Sequence, residues 1–325
     1  MKGRRNREAL AFGALIVVAV LAVGCSVEPI SGPKHLSSWG TTGSAPGEFR
    51  QPIGIAVASD GMVFVADAGN HRVQAFDAAG KFRWAFGSRG EEPGEFRRPM
   101  DLDIDAKGRL YVAEHGGDRV QVFTREGRFL RVIRGDETPA GAFDGAAGVL
   151  ASPSGELYVA DFYHDRIVVF REDGTFHRII GTSGRVLPGR LHYPTDVDWV
   201  DGHLVVADAY NNRIQLFTPE GKAVARWGGP LGSGLPGDGP GSFRVATGVA
   251  VDDLERIYVA DFENHRIQVF ASTGSLLAVF GSRGTGRGEF ERPTDLDIGP
   301  DGRIYVVDFG NDRVQVFEPL LAEVQ

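Results

Sequence analysis

The chain has 325 residues, with 43 acidic side chains against 35 lysines and arginines, a formal net charge of −8 and a single cysteine. A chain of this length buries a sizeable core unaided, and one cysteine allows no disulfide framework. An acidic balance also argues against nucleic acid as a partner, because contacts to phosphate supply most of the affinity in such complexes.

The first 25 residues read as a targeting segment. Lys2, Arg4, Arg5 and Arg7 form a basic start, Ala9 to Val23 is apolar, and Ala22-Val23-Gly24 leads into Cys25. Fifteen apolar residues are short for a membrane span, whereas small residues before a cleavage point suit a signal peptide. The junction at Cys25 resembles a bacterial lipobox. That resemblance implies removal of residues 1–24, a lipid on Cys25, export to the cell envelope, and contact with the membrane through that lipid only. Residues 25–33 then form a short linker to a domain at 34–325. Loss of the first 24 residues, which hold four basic side chains and one acidic, moves the net charge to −11.

Lys34 to Gly40, KHLSSWG, matches two later segments, KFRWAFG from Lys81 and SLLAVFG from Ser275, that close repeated units. The unit itself is anchored by VADAGNHRVQAF from Val65, which returns from Val112, Val159, Val206, Val259 and Val306 at spacings of 47, 47, 47, 53 and 47 residues. A period in the forties points to a propeller or solenoid. In the second copy PMDLDI, RLYVAE, RVQVF and RFLRVI are β-branched and aromatic runs bounded by Gly, Pro and Asp, which predicts four short strands joined by tight turns. The expected fold is therefore all-β: a six-bladed β-propeller of four-stranded blades. The last unit reaches Phe317 and then trails into EPLLAEVQ, so the strand at 34–40 is predicted to complete the last blade and close the ring.

Within each unit an acid ends the second strand and an arginine opens the third. The pairs are Asp67 with Arg72, Glu114 with Arg119, Asp161 with Arg166, Asp208 with Arg213, Asp261 with Arg266 and Asp308 with Arg313, and opposite charges facing each other across a hairpin attract. A feature used six times reads as blade architecture. Asn70, Asn211, Asn264 and Asn311 sit where a turn would want a residue tolerant of positive φ. The runs GEFRQPIGIAV, VADAGNHRVQAF and KFRWAFG closely match the unit of the NHL-repeat family, and residues 34 to 317 resemble that family. The resemblance implies the propeller fold and leaves activity open, since such propellers bind RNA or protein or act as enzymes.

Chemistry has three candidate locations. The first strands of blades 2, 4 and 6 carry Asp101 and Asp103, Asp196 and Asp198, and Asp295 and Asp297, where blades 1, 3 and 5 have Gly54 and Ala56, Gly148 and Leu150, and Gly248 and Ala250. Innermost first strands would bring six carboxylates to the axis, a set that either bonds to backbone of neighbouring blades or recruits a hard cation, Ca²⁺ or Mg²⁺. His71, His115, His164 and His265 lie on the turns at three non-equivalent positions. Some propellers similar to this family, the peptidyl-hydroxyglycine amidating lyases, hold zinc with histidines near the axis, but no first strand here contains histidine. Phe162, Tyr163, Tyr210, Phe262 and Phe309 cluster on the same turns and, together with those four histidines, offer a binding face for a protein, peptide or glycan. The Gly-rich connectors, the longest from Gly228 to Phe243, should emerge on that face too, and none has the form of a phosphate loop. The expected function is a membrane-anchored binding or scaffolding propeller. The alternative is a metal-dependent lyase or hydrolase, amidating-lyase-like or lactonase-like, with its site at the channel mouth.

Overall fold

Short apolar runs separated by Gly and Asp leave each strand too brief to stand alone, so stability has to come from stacking sheets. The computed structural model describes residues 32–136, 138, 139 and 141–321. The targeting segment, Cys25 and the linker up to residue 31 lie outside the described residues. The second unit forms Pro99–Ile104, Arg109–Glu114, Arg119–Thr124 and Phe129–Ile133, paired in that order as an antiparallel sheet. Five such four-stranded sheets follow the chain in sequence, and the sixth joins His35–Trp39 to the outer edge of Arg313–Phe317. The ring closes as the sequence predicts, with Trp39 opposite Val314. No helix among the described residues is long and apolar enough to cross a membrane.

The core lies between blades. Ala56 and Phe64 of blade 1 pack with Leu102 and Leu110 of blade 2, and five equivalent clusters fill the other junctions. This is why strands such as Val63–Asp67 and Leu157–Asp161 are buried along their whole length. Connector residues Phe49, Phe96, Phe143, Phe243 and Phe290, at 0–3% exposed, wedge into the same junctions. A pair of two-residue parallel strands, Thr182–Ser183 and Arg190–Leu191, lies in the connector between blades 3 and 4; nothing in the sequence signals it.

The turn between second and third strands is a single 3-10 turn in every blade, for example Ala68–Asn70. Positive φ falls one residue later than expected, on His71, Asp118, Asp165, Asn212, His265 and Asp312, with φ between 48° and 57°. Asn70 instead donates from Nδ2 to the Asp67 carboxylate and to the carbonyl of Gly43, pinning the turn to its connector.

Candidate functional site

The repeated acids and arginines are structural, and they do more than pair across a hairpin. Arg72 and Asp67 are direct cross-strand partners, with Nε 2.7 Å from Oδ2. Arg166 meets Asp161 in the same way at 2.7 Å, and Arg266 meets Asp261 at 2.8 Å. Arg119 with Glu114, Arg213 with Asp208 and Arg313 with Asp308 complete the set, each at 2.7 Å. The Asp67 carboxylate also accepts the Arg50 amide at 2.8 Å and Gln74 Nε2 at 3.0 Å. The arginines reach further, into the connectors. Arg72 donates to the carbonyls of Ala45 and Glu48, Arg266 to those of Asp238, Gly239 and Ser242, and Arg166 to that of Ala142 at 3.4 Å. Each acid thus gathers a connector, a turn and two strands. The glutamine, repeated as Gln121, Gln215, Gln268 and Gln315, was visible in the sequence as part of RVQVF. Its role as a connector staple was not. Blade 3 has Val168 in its place.

The left-handed turn residues latch each blade to the next. The side chains of Asp312, Asp118, Asp165 and Asn212 accept the amides of Gln51, Gly145, Tyr193 and Val245 at 2.7–3.0 Å. His71 Nδ1 accepts from the Arg98 amide at 3.2 Å, and His265 Nδ1 from Arg292 at 3.1 Å. Those two histidines, proposed above for a binding face, are inter-blade latches, and His265 is buried. An acceptor Nδ1 requires the neutral ring. Burial, followed by Arg89 and Arg98, holds the His71 imidazole below its usual pKa. His164 lies beside Asp161, 3.0 Å away, in the place of the usual Asn, and His115 packs edge-on against Phe162 and Tyr163. The histidines do not converge. A serine, an aspartate and a histidine do meet in the aromatic neighbourhood, but the Ser183 hydroxyl donates to Asp165 at 2.5 Å and not to His192. That arrangement makes no activated nucleophile.

The first strands are innermost, as the carboxylate pattern required. Val149, Val249 and Ile55 donate their amides to Asp101, Asp196 and Asp295 at 2.7–2.9 Å, so every acid of this upper ring caps the blade that follows it. Two residues deeper, Asp103 and Asp297 accept from Ala151 and Val57 at 2.6 Å, while Asp198 accepts from its neighbour Trp199. Gly54, Gly148 and Gly248 explain the alternation. A Cβ on any of them would lie 2.6–2.7 Å from the Cα of Asp101, Asp196 or Asp295 in the next blade. Glycine strands therefore leave room for aspartate strands.

Of the two readings of the carboxylate set, this arrangement is the one bonded to the backbone of neighbouring blades. The carboxylate oxygens are spent on amides, and among the described residues no group of three or more His, Cys, Asp or Glu side chains could hold a metal ion. The residues present do not fit Ca²⁺ or Mg²⁺. Charge is handled by protons instead. Burial first, then the neighbouring carboxylates, pushes Asp101 and Asp295 well above the usual carboxylate range. Burial raises Asp196 to about 7, and acids that interact in this way titrate as a set. The lower ring is also raised by burial, though Asp103, Asp198 and Asp297 keep some surface in the narrow channel.

The pH dependence of stability follows in sign. A folded-state pKa above the unfolded value means that the native chain holds protons the unfolded chain has released, so stability falls as pH rises through that value. The His71 latch has the opposite sign, and its contribution is lost as pH falls through its lowered pKa. Melting near pH 6 is expected more than about 3 °C above that at pH 8, with the gap shrinking in Asp196→Asn/Asp295→Asn. Equal melting temperatures by calorimetry at the two pH values would contradict the buried proton set.

Above the upper ring the axis opens into a funnel of about 270 Å³ on the connector face. Its floor is Asp101, Asp196 and Asp295, and its walls include Phe162, Tyr210, Phe262 and Phe309 from four successive blades. Tyr163 stands beside it, exposed, as does much of Tyr210. Tyr193, which the sequence did not single out, stacks on Phe162 with ring centroids 4.7 Å apart. Its position before Pro194 was the available signal, since the matching Arg98, before Pro99, lines the funnel. Of the predicted rim, the turn aromatics come together, whereas the histidines and the repeated acid–arginine pairs serve the frame.

Comparison with known proteins places the architecture. The NHL repeat model matches residues 49–76, 243–270 and 290–317, which lie in blades 1, 5 and 6. Three of the six blades thus match the NHL repeat. A stretch of 48 residues is 42% identical to protein brain tumor of Drosophila melanogaster, and covers 15% of this chain but only 5% of that protein. Among solved structures, streptogramin B lyase superposes with a TM-score of 0.60 at 16% identity, over 88% of this chain and 96% of that one. The WD40 propeller domain of Doa1 gives 0.60 at 12% identity, over 88% and 97%. An enzyme and a WD40 domain fit equally well, so the likeness carries the fold alone.

Proposed function

We propose that this propeller is an exported binding module, held to the cell envelope by a lipid on Cys25, that presents the connector face with its axial funnel to a protein, peptide or glycan. The observation that carries this reading is the funnel: an apolar cavity walled by aromatic rings from four blades at the centre of the loop-rich face. Such concave apolar sites with a few polar groups are where ligands bind. The basic start, the apolar run and the lone cysteine support the anchor, and Cys25→Ser is expected to move the protein from the membrane fraction to the soluble one. The alternative, a metal-dependent lyase or hydrolase at the same mouth, has the fold likeness behind it but no converging donor set among the described residues.

A photo-cross-linking amino acid at Tyr210 tests the binding face against one at Leu254, at the opposite end of a blade. The two sites are similarly exposed, 51% and 59%. Discrete adducts in cells from Tyr210 and none from Leu254 are expected. Equal labelling from both would sink the assignment of the face.

A further inference from the structure

Resting on that binding reading, we infer that the funnel accepts an alkylammonium group, of a small free cation or of a lysine side chain, seated among the rim rings with its charge toward the three floor carboxyls. The walls suit a cation. Faces of Phe and Tyr attract positive charge, most strongly where water is excluded. One such contact already exists at the rim, where the Arg292 guanidinium lies 5.7 Å from the centroid of Phe262.

The floor suits it for a separate reason. Asp101, Asp196 and Asp295 are only 7–9% exposed and crowd one another, so in the empty funnel their mutual repulsion is relieved by retained protons. An ammonium group above them supplies the missing positive charge, which a neutral guest cannot do. Arg98, the basic side chain on the lining, is exposed at the outer rim and leaves the interior free of fixed positive charge.

The hydroxyls argue against the other chemistries. Thr195 donates to the carbonyl of Thr247 at 2.7 Å and Thr294 to that of Ile53 at 2.8 Å. The polar wall groups are thereby spent on the inner strands, and a carboxylate, a phosphate or a sugar would find few donors. An apolar wall over an acidic floor is complementary to a guest with an aliphatic body and a cationic tip.

The test uses the purified full chain in detergent and isothermal titration with two matched pairs of probes: choline against 3,3-dimethyl-1-butanol, and Nα-acetyl-lysine amide against Nα-acetyl-norleucine amide. At least one cation should bind about tenfold tighter than its uncharged counterpart, and the better of the two pairs names the source. Asp196→Asn and Asp295→Asn retain an acceptor oxygen for the amides of Val249 and Ile55 and should lower the preference for charge. Phe262→Leu should lower it through the ring alone. Asp60→Asn, beside Arg125 at the far end of a blade, should leave it unchanged. Equal affinity within both pairs overturns the inference while leaving a binding site in place. Failure of all four probes to bind overturns it too, and the cross-linking result then decides the wider binding reading separately.

Discussion

A chain beginning at residue 41 is expected to unfold at a markedly lower denaturant concentration than one beginning at residue 32, and to associate as it does so. His35–Trp39 is a whole strand of blade 6, added from the other end of the sequence. It also reaches into the neighbouring junction, where the Trp39 ring lies 4.4 Å from Phe76 of blade 1 and 6.0 Å from Phe49. The deletion therefore removes backbone pairing in one blade and an aromatic side chain from the next interface. Losing the indole alone should cost about 3 kcal/mol, a large part of a typical domain stability of about 5–15 kcal/mol. The deletion further exposes Arg313–Phe317 as a free sheet edge, which invites pairing with another chain. Urea unfolding with light scattering checks both effects. A peptide of residues 32–40 added in trans should recover part of the loss by mass action. An unchanged midpoint would mean that the ring is held closed elsewhere.

Asp208→Ala is the point substitution expected to do most damage, about 3–5 kcal/mol, because it strands a buried charge. Asp208 and Arg213 are both fully buried, with Nε 2.7 Å from Oδ2. The carboxylate also takes donors from Asn211, Gln215 and the His192 amide at 2.8–3.0 Å. Without it the guanidinium keeps only carbonyl acceptors, of which Arg190 at 2.6 Å is the shortest. Replacing both partners by apolar residues of similar size should recover much of the loss, since a buried pair contributes little net stability once desolvation is counted. The exposed pair Arg125 and Asp60, at 30% and 52%, gives the contrast: Asp60→Ala should cost under about 1 kcal/mol. Equal costs for Asp208→Ala and Asp60→Ala in chemical denaturation would refute the argument.

How much of this was legible beforehand depends on whether the information is local. The period of the repeat, the four strands of each unit and the strand at 34–40 are all patterns of neighbours along the chain, and they placed the fold. The facing of Asp67 and Arg72, like that of Asp161 and Arg166 or Asp261 and Arg266, follows from hairpin geometry and was equally accessible. Roles that depend on the adjoining blade were not. His71 looks like an exposed turn histidine until the Arg98 amide of blade 2 is brought to its Nδ1. Asp101 looks like a ligand until Val149 of blade 3 fills its lone pair. The column His71, Asp118, Asp165, Asn212, His265, Asp312 did hold a signal, since only side chains that accept hydrogen bonds and tolerate a left-handed backbone occur there. Tyr193 was missed because its contribution to the aromatic cluster depends on stacking with Phe162 across the axis-facing turns.

The glycine and aspartate inner strands also fix a parity. Each aspartate strand needs a glycine strand before it to make space and an amide after it to bond, as Gly54, Asp101 and Val149 illustrate. Travelling round the axis the two kinds must alternate, and only an even number of blades can return to its starting point without a fault. A ring of five or seven would set two aspartate strands side by side, where backbone meets carboxyl, or two glycine strands, where nothing fills the gap. The true repeating module of this molecule is thus a blade pair, and growth or loss of the propeller by a single blade is geometrically frustrated.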